Sequence, residues 1–300
     1  MSPDLVSPRQ AARAIGVSES SLKRWCDRGL LKTVRTAGGH RKISIPEVLY
    51  FVRENDYQFV SPEVLGLPPV SKEINSSLAQ SLPRLIDALL AGDELVARQI
   101  IFDLYLAKFS PSVILDEVIA KAFREIGDRW ACQEVDIYQE RRGCEIALRI
   151  LFDFSRVQRL PERKWLALGG SIDGDFYALP TAMAELVLRD VGFFATSLGT
   201  SIPFASLVKA VESTRPQLFW LCASHIRDRP RFIDEFAALS QCCTSMGTAL
   251  VVGGRALSDD LRKRMSYSAY CDTMQHLEAF ARTLHQSLSG GTKVETTTSS

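Results

Sequence analysis

The sequence predicts a multidomain α/β chain made of a small basic head, an all-helical middle and a doubly wound parallel sheet. Three observations predict it. Residues 1–45 hold nine Lys/Arg against three acids, a local +6 in a chain whose total is +1. Residues 71–160 repeat apolar side chains at three- and four-residue intervals, and from residue 164 short apolar runs alternate with amphipathic ones. Length alone, 300 residues with 46% hydrophobic content, suggests about two domains. The apolar runs fall short of the roughly 20 residues a membrane helix needs, and no signal-like start is present, so a cytoplasmic protein with no membrane partner is expected. Of the seven cysteines only Cys242 and Cys243 are close in sequence, which makes neither a disulfide framework nor a zinc set. Reduced, buried thiols are expected.

In the head, SPRQAARAIG opens with Ser7 as a cap and Pro8 at the first helical position, and it ends at Gly16. Ala11, Ala12 and Ile15 form its apolar stripe. In SESSLKRWCDRG, Ser18 caps a second helix and Gly29 ends it; Leu22 and Trp25 turn inward, while Ser20, Ser21, Lys23 and Arg24 stay outward. Two short helices with a tight turn, the second one polar and basic, fit a helix-turn-helix plan. LLKTVRTAGGHRKISI then reads as two strands around a glycine turn. It carries Arg35, Thr36, Gly38, Gly39, His40, Arg41 and Lys42, a cationic hairpin able to lie against phosphates. His40 has no metal-ligating neighbour and reads as a phosphate contact. A third helix starts at Pro46, and the prolines of SPEVLGLPPVSKE forbid a long coiled coil after it. Residues 1–70 are therefore expected to bind double-stranded operator DNA.

This arrangement resembles the MerR family of transcription regulators, with its winged helix-turn-helix head. The RTAGGHRK wing is similar to that of the light- and cobalamin-responsive CarH/LitR branch. Ile43 stands where those relatives often carry an aromatic residue, a difference of wing packing.

Residues 71–160 predict four helices, approximately 71–92, 93–108, 110–133 and 135–157, with Asp93 and Ser110 as caps and a four-helix bundle as the outcome. In the cobalamin-binding photoreceptor regulators, a tryptophan and, with nine residues between, a Glu-His pair cover the upper face of the corrin. The resemblance places Trp130 and Glu140 on that motif, with Arg141 where the histidine would stand.

Residues 161–288 predict strands WLALGGSI, FFATSLGT, QLFWLCAS, TALVVGG and a weak SAYC, alternating with helices. The result is a flavodoxin-like, doubly wound sheet, followed by a disordered tail over 289–300. Ligands of such sheets sit beyond the carboxyl ends of the strands, where DGDFYALP, LCASHIRD and VVGGRAL fall. Those loops resemble the cobalamin-binding domain, whose Asp-x-His-x-x-Gly motif supplies an axial cobalt ligand. Asp175 matches the aspartate, but Tyr177 stands at the histidine and Pro180 at the glycine. Ser224 is nearest to the family's serine, with Cys222 two residues earlier, and Gly253 and Gly254 match the paired glycine that lets the nucleotide tail lie against the backbone.

A tyrosine hydroxyl is a poor cobalt donor at neutral pH, so three accounts stay open. The chain binds cobalamin base-on, with the cofactor's own base on the metal; it holds another tetrapyrrole, with Cys222 and His225 as contacts; or it binds nothing and serves assembly. Loss of both histidines removes the expectation of the family's light response. The function expected is a DNA-binding regulator, a repressor, joined as a homo-oligomer through its carboxyl-terminal domains and not an enzyme. The alternatives are a cobalamin- or tetrapyrrole-dependent photosensor and a corrinoid carrier or methyltransferase component. The DNA-binding head and the missing histidine oppose the latter, and no phosphate-binding loop or serine-elbow motif is visible.

Overall fold

Capping side chains decide where the elements of the head begin. A computed structural model describes residues 5–55, 57–69 and 77–290 and divides the chain into two units, Met1–Arg159 and Leu160–Ser300. In the first, strand β1 (Leu5–Val6) leads into helix α1 (Pro8–Ile15). Ser7 Oγ accepts from the Gln10 amide at 3.2 Å and Gln10 Oε1 accepts from the Ser7 amide at 2.9 Å, so two otherwise orphaned donors are satisfied at once. Ser18 caps helix α2 (Glu19–Asp27) in the same way, accepting from the Ser21 amide at 3.1 Å. Leu22 is buried, and Trp25 packs against Phe51 and Tyr57 at ring separations of 4.9 and 5.0 Å.

Strands β2 (Val34–Arg35) and β3 (Arg41–Ser44) form the expected hairpin, with Arg35 opposite Arg41. Strand β1, not expected from the sequence, pairs antiparallel with β3 and makes the sheet three-stranded, in the order β1-β3-β2. Two residues are too few to display an alternation. Ile43, at the centre of this small sheet, is fully buried. Helix α3 (Ile45–Glu54) follows, and a 3-10 turn (Pro62–Leu65) packs back onto α1.

Helix α4 (Leu78–Ala91) begins at Ser77, whose extended backbone and hydroxyl cap its first turn. The expected start at residue 71 falls on residues 71–76, outside the described residues. Helix α5 (Glu94–Leu106) is capped by Asp93, as read from the sequence. The third helical stretch is not uniform: α6 (Pro111–Ile114), capped by Ser110, passes through a π segment (Leu115–Ala120) into α7 (Lys121–Ala131). Leu115, Val118 and Ile119 of that segment are buried. A widened turn re-aims the following helix, and apolar spacing does not announce it. Helix α8 (Ile137–Val157) starts at the capping pair Asp136 and Gln139. α4 packs on α5, α7 and α8, and α5 packs on α8.

Two arginines tie the head to these helices. Arg53 donates to the carbonyls of Tyr105 and Phe109 at the end of α5 and lies 4.1 Å from the Tyr105 ring centre. Arg159 pairs with Glu47 at 2.6 Å and stacks 3.4 Å from the ring centre of Tyr50.

The second unit alternates strictly: β4 (Leu166–Ser171), α9 (Ala178–Val191), β5 (Phe194–Ser197), α10 (Phe204–Thr214), β6 (Leu218–Cys222) and α11 (Arg229–Met246), then β7 (Ala249–Gly253), α12 (Asp259–Arg262), β8 (Ala269–Tyr270) and α13 (Met274–Gly290). All pairings are parallel, in the order β5-β4-β6-β7-β8. α10 and α11 cover one face, burying Phe219, Leu221, Leu250 and Val252. α9, backed by α13, covers β4, β5 and β6 on the other. The chain reverses its winding between β4 and β6, so their carboxyl ends open a crevice. α13 continues to Gly290, past the expected boundary at 289, and residues 291–300 of the expected tail lie outside the described residues.

Replacing Arg159 by Ala leaves the largely buried Glu47 carboxylate without its cation. The first unit should lose about 1–3 kcal/mol, read as a lower urea midpoint together with faster amide exchange in α3. An unchanged midpoint would mean that this pair does not hold the head.

Candidate functional sites: the cationic head and the carboxyl edge of the sheet

On α2, Ser20, Lys23 and Arg24 are exposed and Ser21 is half-buried. Ser18 Oγ lies 2.9 Å from the hydroxyls of both Ser20 and Ser21, so these serines present a fixed array. Lys23 pairs with Glu19 at 2.8 Å, and its hydrogen bond and charge hold the Glu19 carboxyl below the usual range. The hairpin turn closes through the Thr36 amide on the His40 carbonyl at 2.9 Å and the Gly39 amide on the Thr36 carbonyl at 2.8 Å. Gly39 takes φ 78°, a conformation that favours glycine.

Arg35, Thr36, Gly38, Gly39 and His40 are exposed at the tip, and Arg35 has no ion pair among the described residues. Arg41 differs from its neighbours: half-buried, it pairs with Asp27 at 2.5 Å and so braces the hairpin against α2. Lys42 is half-buried beside it. The structure thus brings the polar face of α2 and the hairpin together, through a pair that residue spacing did not reveal.

Among the helices, Trp130 sits in the last turn of α7 and Glu140 in the first turn of α8. Packing alone would bury the indole and expose the acid. The reverse is found, with Trp130 50% exposed and the Glu140 side chain only 20% exposed. Glu140 accepts from the Cys144 thiol at 3.4 Å and lies 3.5 Å from the guanidinium of the exposed Arg141. Burial, then the charge of Glu140, pushes the Cys144 thiol up to about 12.

In the second unit Asp175 is fully buried. Its Oδ1 accepts from the Tyr177 amide at 3.1 Å and its Oδ2 from the Ser224 amide at 2.6 Å, joining the loop after β4 to the loop after β6. The loop after β5 adds Ser201, whose amide donates to the Asp175 carbonyl at 3.0 Å and whose hydroxyl accepts from the Gly174 amide at 3.1 Å. Ser201 was not read from the sequence, and nothing in its local composition marks it. With the acid turned inward, Phe176 and Tyr177 point out, 66% and 38% exposed, and the Arg255 guanidinium lies 5.1 Å from the Tyr177 ring centre.

Ser224 is half-buried and His225 exposed, whereas Cys222 is buried beneath the loop. Desolvation, then the neighbouring Asp175, pushes the Cys222 thiol up to about 12. Burial is what counts against Cys222 as a direct ligand contact. Gly253 and Gly254 serve the chain's own backbone: the Ala223 amide donates to the Gly253 carbonyl at 2.9 Å. At Gly254, with φ 117°, a Cβ would fall 2.3 Å from the Ala223 carbonyl oxygen.

A corrin coordinated by a histidine at position 177 does not fit this edge. The residue there is Tyr177, and the neighbouring imidazole, His225, is exposed on a different loop. Among the described residues no group of three or more His, Cys, Asp or Glu is placed to hold a metal ion, and no helix is long and apolar enough to cross a membrane.

These features define a mixed α/β chain whose parallel five-stranded sheet is of the Rossmann-like kind found in corrinoid proteins. Residues 82–151 match the profile of the B12 binding domain. Over 174 residues the chain is 25% identical to the HTH-type transcriptional repressor CarH of Myxococcus xanthus, a match covering 58% of this chain and 55% of that protein. The chain therefore spans about half the length of that relative. The monomethylamine corrinoid protein of Methanosarcina barkeri superposes with a TM-score of 0.57 at 14% identity, over 69% of this chain and 100% of its own, a likeness of fold.

Cys144, Cys222 and Cys243 are raised to about 12 and Cys271 to about 11, from an ordinary 9.0. Folding suppresses their ionisation, so their contribution to stability is complete below about pH 9 and is lost as the pH climbs toward about 12. The urea midpoint should fall across that window, less steeply in Cys222→Ala. At neutral pH a thiol reagent should label the exposed Cys132 well before these four. Equal labelling of Cys222 in the native protein would refute its burial.

Proposed function

We propose that the chain is a DNA-binding transcriptional regulator, a repressor, whose carboxyl-terminal part senses a ligand and joins copies of the chain. Residues 1–70 act as a MerR-type winged helix-turn-helix. Residues 71–160 act as a four-helix bundle of the cobalamin-cap kind, and residues 161–288 as a Rossmann-like cobalamin-binding-like domain. The observation that carries this reading is the basic hairpin braced on a short polar helix through Arg41 and Asp27, within a segment of local charge +6. Similarity to a transcriptional repressor supports it.

In this reading Ser20, Ser21, Lys23 and Arg24 face the major groove. Arg35, Thr36, Gly38, Gly39, His40 and Lys42 approach phosphates, and Arg41 positions the wing. One head covers a half-site, so tight binding needs two or more heads linked through the carboxyl-terminal domains.

The ligand proposed is cobalamin with its own base on the metal, or another tetrapyrrole. The B12 binding domain profile over residues 82–151 supports it, and Trp130, Glu140, Arg141, Tyr177, Ser224 and His225 are the contacts offered by the chain. Asp175, Gly253 and Gly254 hold the loops that present them. Such a ligand would supply a light-absorbing, redox-active metal centre. With no imidazole at 141 or 177 to capture the metal, light is expected to leave the oligomeric state unchanged. The corrinoid-carrier alternative has the fold likeness in its favour and Tyr177 against it.

The test is a mobility shift with the full chain on duplexes selected from a random library. Arg35→Ala should weaken binding to all duplexes alike and lower the slope of log affinity against log salt by about 1. Arg41→Ala should weaken binding and also loosen the hairpin, seen as faster exchange of the Thr36 and His40 amides. Unchanged affinity in the Arg35 variant would remove the DNA-binding reading.

A further inference from the structure

The face of the sheet beneath α9 is lined near its carboxyl end by small residues. In parallel strands, residues in register point to the same side. Gly169 is opposite both Ser197 and Trp220, Ser171 is opposite Cys222, and Cys222 is opposite Gly253. Glycine, serine, serine, cysteine and glycine would leave a flat slot between sheet and helix, and protein interiors do not tolerate such voids. The slot is filled by the indole of Trp220, 2% exposed and the largest of the fully buried side chains. The ring lies over Gly169, where a Cβ would fall 2.2 Å from indole Cδ2. Its Nε1 donates to Thr181 Oγ1 on α9 at 3.0 Å, and that hydroxyl lies 3.0 Å from Ser197 Oγ. The ring is therefore both packed and anchored, with its N–H satisfied by a buried hydroxyl.

We propose that Trp220 is a specificity determinant: its indole permanently occupies the flat slot under α9, so a corrinoid bound by this chain keeps its benzimidazole base outside the sheet. Indole and benzimidazole are both flat, fused six-five rings bearing nitrogen, and one slot cannot hold both. This rests on the cobalamin reading above for its ligand, but not for the occupancy of the slot.

Two measurements separate the parts. The full-length protein is titrated with hydroxocobalamin and with cobinamide, which lacks the nucleotide base. Comparable affinities, without a gap of about tenfold or more, and a base-on absorbance spectrum are expected. Independently, Trp220→Ala should lower the melting temperature by on the order of 10 °C. Free dimethylbenzimidazole or indole should restore part of that loss, while leaving wild-type melting unchanged. Trp220→Leu carries the same rescue test if the alanine variant does not fold. A base-off spectrum, wild-type stabilisation by free dimethylbenzimidazole, or a variant that neither base rescues would each overturn the proposal. Failure of wild type to bind either corrinoid would sink the cobalamin reading alone, and the rescue result would then decide the occupancy of the slot.

Discussion

A carboxylate with no exposed surface persists only where both oxygens are saturated, and Asp175 meets that condition with backbone amides from two different loops. The demand organises the whole carboxyl edge. Bending inward to reach the Ser224 amide draws the loop after β4 against the loop after β6, and Ser201 closes the third side. Phe176 and Tyr177 are then left facing out, the only direction remaining to them. The acid is thus a clamp on the loops, and the residues it displaces lie at the surface.

A comparable constraint shapes the head. A two-strand hairpin is marginal by itself. Here it is steadied from two sides, by β1 along one edge of β3 and by the pairing of Arg41 with Asp27. Fixing one cation this way leaves Arg35 and the turn free at the tip, which divides the basic residues into a structural one and exposed ones. Arg53 and Arg159 then bind the head to the helical layer through carbonyls, a carboxylate and two tyrosine rings. The head and the helical layer thereby gain a mechanical connection within a single unit.

The legible parts of this chain were those with local physical signals. Ser7, Ser18, Asp93 and Ser110 mark helix starts because a cap bonds to an amide three residues on. Strands β4, β6 and β7 stand out because strands buried on both faces read as apolar runs, whereas the two half-buried residues of β8 give only a weak signal. The illegible parts depend on distant partners. β1 exists because β3 is beside it, and the π segment at Leu115–Ala120 leaves no mark in the apolar spacing. Cys222 reads as a ligand contact by its position at the end of a strand, yet it is buried.

By itself, the sequence determined the alternation of strands and helices, the caps, the concentration of positive charge in residues 1–45 and the absence of an imidazole at positions 141 and 177. These are properties of neighbours along the chain. Tertiary structure alone decided that Trp220 spans Gly169 to reach Thr181, that Asp175 is a clamp, and that Trp130 is exposed while Glu140 is partly shielded. Each joins or separates residues by packing across elements, where burial and hydrogen-bond saturation, rather than spacing, set the outcome.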